Sequence, residues 1–418
     1  MKLGLISVDG APTLIAALDD GLAGSQNDWS AITVRDLLAG SELAPPAGMI
    51  DLINGADRFL PALQVALDRS RSDAVGRSIE EDQSTIGEVR SMYADDRPTI
   101  GDAQSAYGDD RRTIGEVRST NADDRSIIGE AQSTYRDDQH TIGEVKRMYA
   151  RDRRTIGVVD LKAADWLPPQ PDPRKILGVA FNNRRIRNDV HVDPGVPNFF
   201  LKSASCLIGH RQSVIIRSNY GNTIPEPELC VIIGKQAKDV APANALEHVF
   251  GYSILDDITS HGMKFSMDSV ATTRAPELMR PEYLAWRRPR SEDDTDLFFV
   301  YHTRSKNCDT FGPMGPWITT RDEIGDPGNM RLRAWCDGEL FSDDTTARYT
   351  FSVAELIAEA SKFFTLEPGD IISCGTAAKG TEKFKHAHRS VLLQERECRI
   401  DIELEGLGTL THFVRHEP

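Results

Sequence analysis

The chain has 418 residues, 39% of them hydrophobic, and a formal net charge of -15 at pH 7. That length carries two domains and a large core, while the acidic balance excludes nucleic acid as the main partner, because neutralising phosphates needs a basic patch. No apolar run approaches a membrane span and the start lacks the charged-then-apolar pattern of a signal peptide, so a cytoplasmic protein with no membrane partner is expected. Met1 to about Ala66 alternates strand-like and helical runs. Lys2–Ser7 and Pro12–Ala17 read as a hairpin around Asp9-Gly10, a strong turn dipeptide, and Ser30–Ala39 and Phe59–Ser70 have helical spacing of apolar residues. Residues 1–84 are assigned to a small α/β N-terminal domain without obvious chemistry.

Between Thr85 and Arg154 the text repeats with a fourteen-residue period: Ile86, Ile100, Ile114, Ile128 and Ile142 recur in register, each followed by Gly. Fourteen is two heptads, so these isoleucines with Val89, Ala103, Val117, Ala131 and Val145 can form one stripe of a long helix. Thr85-x-x-Glu88, Thr113-x-x-Glu116 and Thr141-x-x-Glu144 read instead as capping boxes that restart a helix at each repeat. Recurrent Gly, Asp-Asp pairs and Pro98 lower helix propensity. Residues 85–157 are read as an inserted, solvent-exposed array that interrupts the N-terminal domain, helical in part, with an oligomerisation coil as the alternative. The Pro-rich segment within 158–174 reads as a linker.

Lys175–Asn182 reads as a buried strand opening the main domain, 175–418, and Ala243–Val249 as helix-like. The informative stretch is Glu226-Pro227-Glu228 before the β-branched run Leu229–Ile233. Alternate strand residues share a face, so both carboxylates converge, and Pro227 suggests an edge or opening segment beside a cleft. Converging carboxylates repel unless a cation sits between them, and a hard divalent ion is the usual solution; a solvated strand face is the bland alternative. The six cysteines have no Cys-x-x-Cys spacing and read as reduced core residues.

Downstream come Phe250-Gly251-Tyr252 leading to Asp256-Asp257, then Lys306-Asn307-Cys308-Asp309-Thr310 with Gly312-Pro313-Met314-Gly315-Pro316-Trp317, then Gly375-Thr376, then Gly406-Leu407-Gly408-Thr409. This ordered set resembles the fumarylacetoacetate hydrolase family from about Lys175 to the C-terminus. The resemblance implies an α+β, β-rich fold: a mixed β-sheet roll or barrel as the C-terminal domain, with a small N-terminal domain. It implies Glu226, Glu228 and Asp257 as ligands of Mg²⁺, with Mn²⁺ or Ca²⁺ as alternatives, and Lys306 as a catalytic cation near a developing enolate. It implies a homodimer.

The chain departs from the family pattern at three places. The lid position of a proton-handling His holds Ile186, leaving Asp189 and His191 as the candidate acid/base pair. Where relatives place an Arg four residues after the Asp ligand stands His261, a candidate substrate contact, and an insertion spans 263–303. Lys202 is a candidate for an anionic substrate, and Gly375 and Thr376 for a substrate carboxylate. The function implied is metal-dependent cleavage of a carbon-carbon bond in an acylpyruvate or 1,3-diketo acid. The alternatives are a lyase or isomerase on 2-oxo acids and, from a different class, a non-catalytic scaffold.

Overall fold

The strand Pro227–Ile233 lies at the centre of the protein, and all seven of its residues are buried. Leu229, Val231 and Ile233 enter one apolar cluster while Cys230 and Ile232 enter another, as the two-residue period of a strand requires. A strand covered on both faces carries a continuous apolar run, which is how its sequence reads. It pairs antiparallel with Val249–Asp256 on one side and Ile371–Thr376 on the other. Of the two places the sequence allows for Pro227, an edge or the opening of a strand beside a cleft, it takes the second: it is the first residue of an interior strand and supplies only its carbonyl, which accepts from Ala377 N–H at 3.0 Å.

The computed structural model describes residues 1–17, 30–39, 41, 43–68, 158–161, 163–190, 193–273 and 296–418. The chain divides into two units, one of Met1–Leu67 with Gly157–Pro418 and one of Asp68–Ile156. All that follows concerns the first; the fourteen-residue array lies outside the described residues.

The fold is mixed α+β and sheet-rich. A 12-stranded sheet runs in the order Val158–Asp160, Ser30–Thr33, Ala11–Ala17, Lys2–Val8, Gly312–Thr320, Val249–Asp256, Pro227–Ile233, Ile371–Thr376, Ile176–Ala180, Asn198–Lys202, with two short strands off this path. Its path is open, not a closed ring. A 5-stranded sheet of Glu339–Thr345, Arg331–Cys336, Arg399–Leu404, Gly408–Glu417 and Ser213–Arg217 supplies Leu332, Ala334, Ile400, Ile402 and Leu410 to the same cluster as Leu229 and Val231. The helix Val353–Phe363 opens on a capping box, Ser352 with Glu355, and adds Val353, Leu356, Ile357 and Ala360 to that core.

On the opposite face Met1, Leu3, Leu5, Leu52, Ile53, Phe59, Leu63 and Leu67 cover Cys230 and Ile232. The hairpin around Asp9-Gly10 forms, as Lys2–Val8 with Ala11–Ala17. Ser30–Thr33, expected to be helical, is a strand paired with Ala11–Ala17; the helix begins only at Val34, where the Thr33 hydroxyl caps Asp36 N–H at 3.0 Å. Residues 56–68 are helical, and a helix at Met49–Asn54 had no strong periodic signal. Among the described residues no helix is long and apolar enough to cross a membrane.

Candidate metal centre and its cleft

Two backbone contacts bring the acidic segments together. Asp257 N–H donates to Glu226 O at 2.9 Å, and Glu226 N–H donates to an Asp256 carboxylate oxygen at 2.6 Å. A two-residue ladder, Thr223–Ile224 with Thr259–Ser260, clamps the same chain segments just beyond. The consequence is that Glu226, Glu228 and Asp257 each offer one oxygen within 4.8 Å of the others.

Cations meet this cluster from a distant part of the chain. Lys306, on the helix Thr303–Asn307, is buried and its Nζ donates to Glu226 Oε2 at 2.6 Å, to Thr259 Oγ1 at 2.7 Å and to Asp257 Oδ2. The ammonium also stands over the Phe200 ring, 4.7 Å from its centroid. Lys202, which the sequence places beside an anionic substrate, is instead spent inside the protein. Its Nζ donates to Phe311 O at 3.0 Å and lies 2.8 Å from Asp257 Oδ1.

Electrostatics separates the three acids. Burial opposes ionisation of Glu226, yet the Lys306 charge, with His388 and the Thr259 hydroxyl, pulls its carboxyl down to about 2. Glu228 is pushed well above the usual range by burial and then by the charges of Asp257 and Glu226, although the Ser373 hydroxyl and Gly375 N–H, the latter at 2.9 Å, both donate to its Oε2. Burial works against the Lys306 charge, but Asp257 and Glu226 raise its pKa above the ordinary lysine value. With all three acids ionised they would outnumber the two ammoniums, and the raised pKa of Glu228 shows where that excess is felt, relieved by a proton there or by a cation.

The residues fit a divalent metal ion. The donors are all carboxylate oxygens, as hard ions such as Mg²⁺ or Mn²⁺ require. Asp257 Oδ1 is buried and has no aligned hydrogen-bond donor, because Lys202 meets it only as a nearby charge. Asp256, next along the chain, is not part of this set. Both it and His412 are fully buried, and its Oδ2 lies 2.7 Å from His412 Nε2.

A cleft of about 140 Å³ opens over the cluster, lined by Glu226, Glu228, Asp257, Thr259, Lys306 and Thr376. Its wall includes His261 and Ile186. Thr376 lines the cleft, but the Gly375 N–H is engaged by Glu228 and is not offered to a ligand. Asp189 is exposed and does not line the cleft; His191 lies outside the described residues, as do Arg274, Arg280, Arg287 and Arg288 of the insertion. Sequence reasoning missed Thr259, Lys264, His302, His388 and Arg389, all lining the same cleft. The only signal for the last two was the basic run Lys385-His386-Ala387-His388-Arg389 soon after Gly375-Thr376.

Comparison with known proteins accounts for this geometry. The bifunctional isomerase/decarboxylase of 4-hydroxyphenylacetate degradation from Salmonella dublin is 32% identical over 221 residues, 53% of this chain but only 42% of that enzyme. A Burkholderia cenocepacia protein provisionally named as a hydrolase is 33% identical over 223 residues, 53% of this chain and 67% of its own length. In fold, the maleylpyruvate hydrolase of Sphingobium sp. SYK-6, solved with manganese(II) and pyruvate, superposes with a TM-score of 0.57 at 20% identity over 100% of both chains. The fumarylacetoacetate hydrolase of Exiguobacterium antarcticum gives 0.56 at 19% over 100% of both. The family model described as fumarylacetoacetate (FAA) hydrolase C-terminal matches residues 175–415, the span that supplies every acid and ammonium of the cluster, and the chain belongs to that family of enzymes.

Proposed function

We propose that this chain is a divalent-cation-dependent hydrolase that cleaves a carbon-carbon bond in an acylpyruvate or related 1,3-diketo acid. The observation that carries the reading is the set of three acidic side chains whose oxygens lie within 4.8 Å of one another beside a cleft. Glu226, Glu228 and Asp257 are the proposed ligands; Mg²⁺ or Mn²⁺ held there supplies Lewis acidity to the two oxygens of a 2-oxo acid. Lys306 keeps Glu226 ionised, donates to Asp257, and adds a fixed positive charge where the substrate becomes more anionic. Phe200 and Ile186 give the cleft apolar wall, which lowers the local dielectric and strengthens those charges. His261 and Thr376 are proposed substrate contacts.

A second reading has its own support. Ile186 lines the cleft and cannot handle a proton, so isomerisation or decarboxylation of a 2-oxo acid, which needs no water nucleophile, is the alternative. Incubation of the full chain with Mg²⁺ and a panel of acylpyruvates separates the two. Formation of two acids, abolished by Glu226→Ala, supports hydrolysis; release of CO₂ or rearrangement without cleavage supports the alternative. Absence of turnover on every 2-oxo acid, together with absence of bound divalent ion, sinks both.

A further inference from the structure

Glu226, Asp257 and Lys306 are engaged with one another, and three histidines, His261, His302 and His388, line the same cleft; of the three, His388 alone is buried. It belongs to the short 3-10 turn Ala387–Ser390, is 2% exposed, and forms part of the cleft wall with Ile186 and Arg389. Its Nδ1 lies 2.8 Å from Ala377 O, and because a carbonyl only accepts, that nitrogen carries the proton. In the neutral ring Nε2 is then the bare nitrogen, with its lone pair free to accept. Burial lowers the pKa of the ring from the ordinary histidine value, against the opposing charge of Glu226, with Arg389 and Lys306 adding to the lowering. The imidazole is therefore neutral near pH 7.

The loop that carries His388 is tightly built. Ala387 holds the left-handed backbone conformation, φ 49°, which costs energy for any residue with a Cβ and persists only where the surroundings enforce it. Those surroundings are visible. Ala378 and Lys379 N–H groups donate to Asp344 Oδ2 at 2.8 and 2.9 Å, and the Ser342 hydroxyl donates to Lys379 O at 3.0 Å. At Gly380 the loop folds back so closely that a Cβ there would meet Phe384 O at 2.1 Å. Sequence positions that could compete for a proton do worse: Ile186 has none to move, and Asp189 is exposed away from the cleft lining.

We propose that His388 is the general base of this site, its Nε2 taking the proton of the water that attacks the substrate carbonyl; the inference rests on the hydrolase reading above. One water O–H bond breaks, its proton goes to Nε2, and the hydroxide so formed bonds to the distal carbonyl carbon. The carbon-carbon bond then breaks with its electron pair left on the carbon of the pyruvate half. Return of the proton from Nε2 to that carbon releases pyruvate, and the acid formed from the other half loses its proton to solvent. His388 ends each turnover neutral.

The test uses the full chain, Mg²⁺ and acetylpyruvate as probe. His388→Asn keeps a donor for Ala377 O but has no basic nitrogen, and His388→Gln is the second variant should the first lower the thermal midpoint. Both are expected to lose about 10²-fold or more in kcat, the ordinary worth of general-base assistance, with Mg²⁺ affinity unchanged. A folded His388 variant with wild-type kcat overturns the proposal. Nitrogen-15 NMR locates the ring proton independently of turnover. The imidazole whose signals vanish in His388→Asn should carry its proton on Nδ1 at pH 7, and a proton on Nε2 overturns the assignment. Wild-type protein inert to every acylpyruvate sinks the hydrolase reading, and the NMR result alone then decides whether His388 is a poised proton acceptor.

Discussion

Asp256 and Asp257 are consecutive residues that serve two contrasting regions of the molecule. Asp256 sits in a closed network: one carboxylate, the His412 ring 2.7 Å away and the Glu226 N–H at 2.6 Å, with both side chains fully buried. Asp257 sits in an open one, where three acids meet two ammoniums and a buried oxygen has no aligned donor. In the first the carboxylate is fully engaged and the atom left over is a ring nitrogen, His412 Nδ1; in the second the atom left over is a carboxylate oxygen among acids beside a cleft, where a cation can fill the place. Balance of charge and hydrogen bonds, more than burial, distinguishes a structural acid from one available for chemistry.

That contrast can be broken by substitution. The largest effect is expected from Asp257→Ala, which removes a proposed ligand: Mn²⁺ affinity by calorimetry should fall by more than the roughly 10–100-fold that loss of an outer partner costs. Next, Lys306→Met strands Glu226 and Asp257 without their shared ammonium. Denaturant unfolding of the metal-free protein should show a loss of about 3–5 kcal/mol, partly recovered by saturating Mn²⁺. Asp256→Ala leaves the Glu226 N–H and His412 unpaired, for a loss of about 1–3 kcal/mol and a fall of about tenfold in Mn²⁺ affinity. If that affinity falls as far as in Asp257→Ala, the division between the two aspartates is wrong.

Glu228→Gln reverses the sign. A carboxyl whose pKa is higher folded than unfolded binds more protons in the folded state, so the metal-free protein loses stability as pH rises above the ordinary glutamate range. Glutamine removes that loss, and stability at pH 7 should rise while cation binding drops. Thermal scans with and without Mn²⁺ across pH measure both. The smallest effect is expected from deleting 85–154: turnover and Mn²⁺ affinity should stay at wild-type values, and a collapse of either would show that the array is more than an insertion.

The floor of the site was legible in sequence because its chemistry is dense and locally patterned. Glu226 and Glu228 flank a proline before a strand, Asp257 ends the next strand, and Lys306 opens a recognisable turn motif. Asp256 was ambiguous, because nothing in the chain says that a histidine more than 150 residues later will claim it; the pairing exists only once Gly408–Glu417 folds beside it. Lys202 was misplaced for a related reason. A lysine at a strand end reads the same whether its ammonium meets solvent or a buried aspartate. His388 gave no signal beyond the basic run Lys385–Arg389, since its position is fixed by backbone contacts of an irregular loop. Ser30–Thr33 was misread where tertiary pairing overrode local propensity.

The strand pairing of the first residues also bears on how the polypeptide is made. One edge of the hairpin Lys2–Ala17 meets Ser30–Thr33 nearby in sequence, but Lys2 aligns with Thr319, so a ribosome must deliver some three hundred further residues before the other edge finds its long partner strand. Until then that hairpin presents an unpaired edge and an apolar face to its surroundings. Recombinant yield should therefore respond to slower elongation and to chaperone supply, and fragments that start at residue 175 should precipitate for want of the cover that Leu3, Leu5, Leu52 and Leu63 provide.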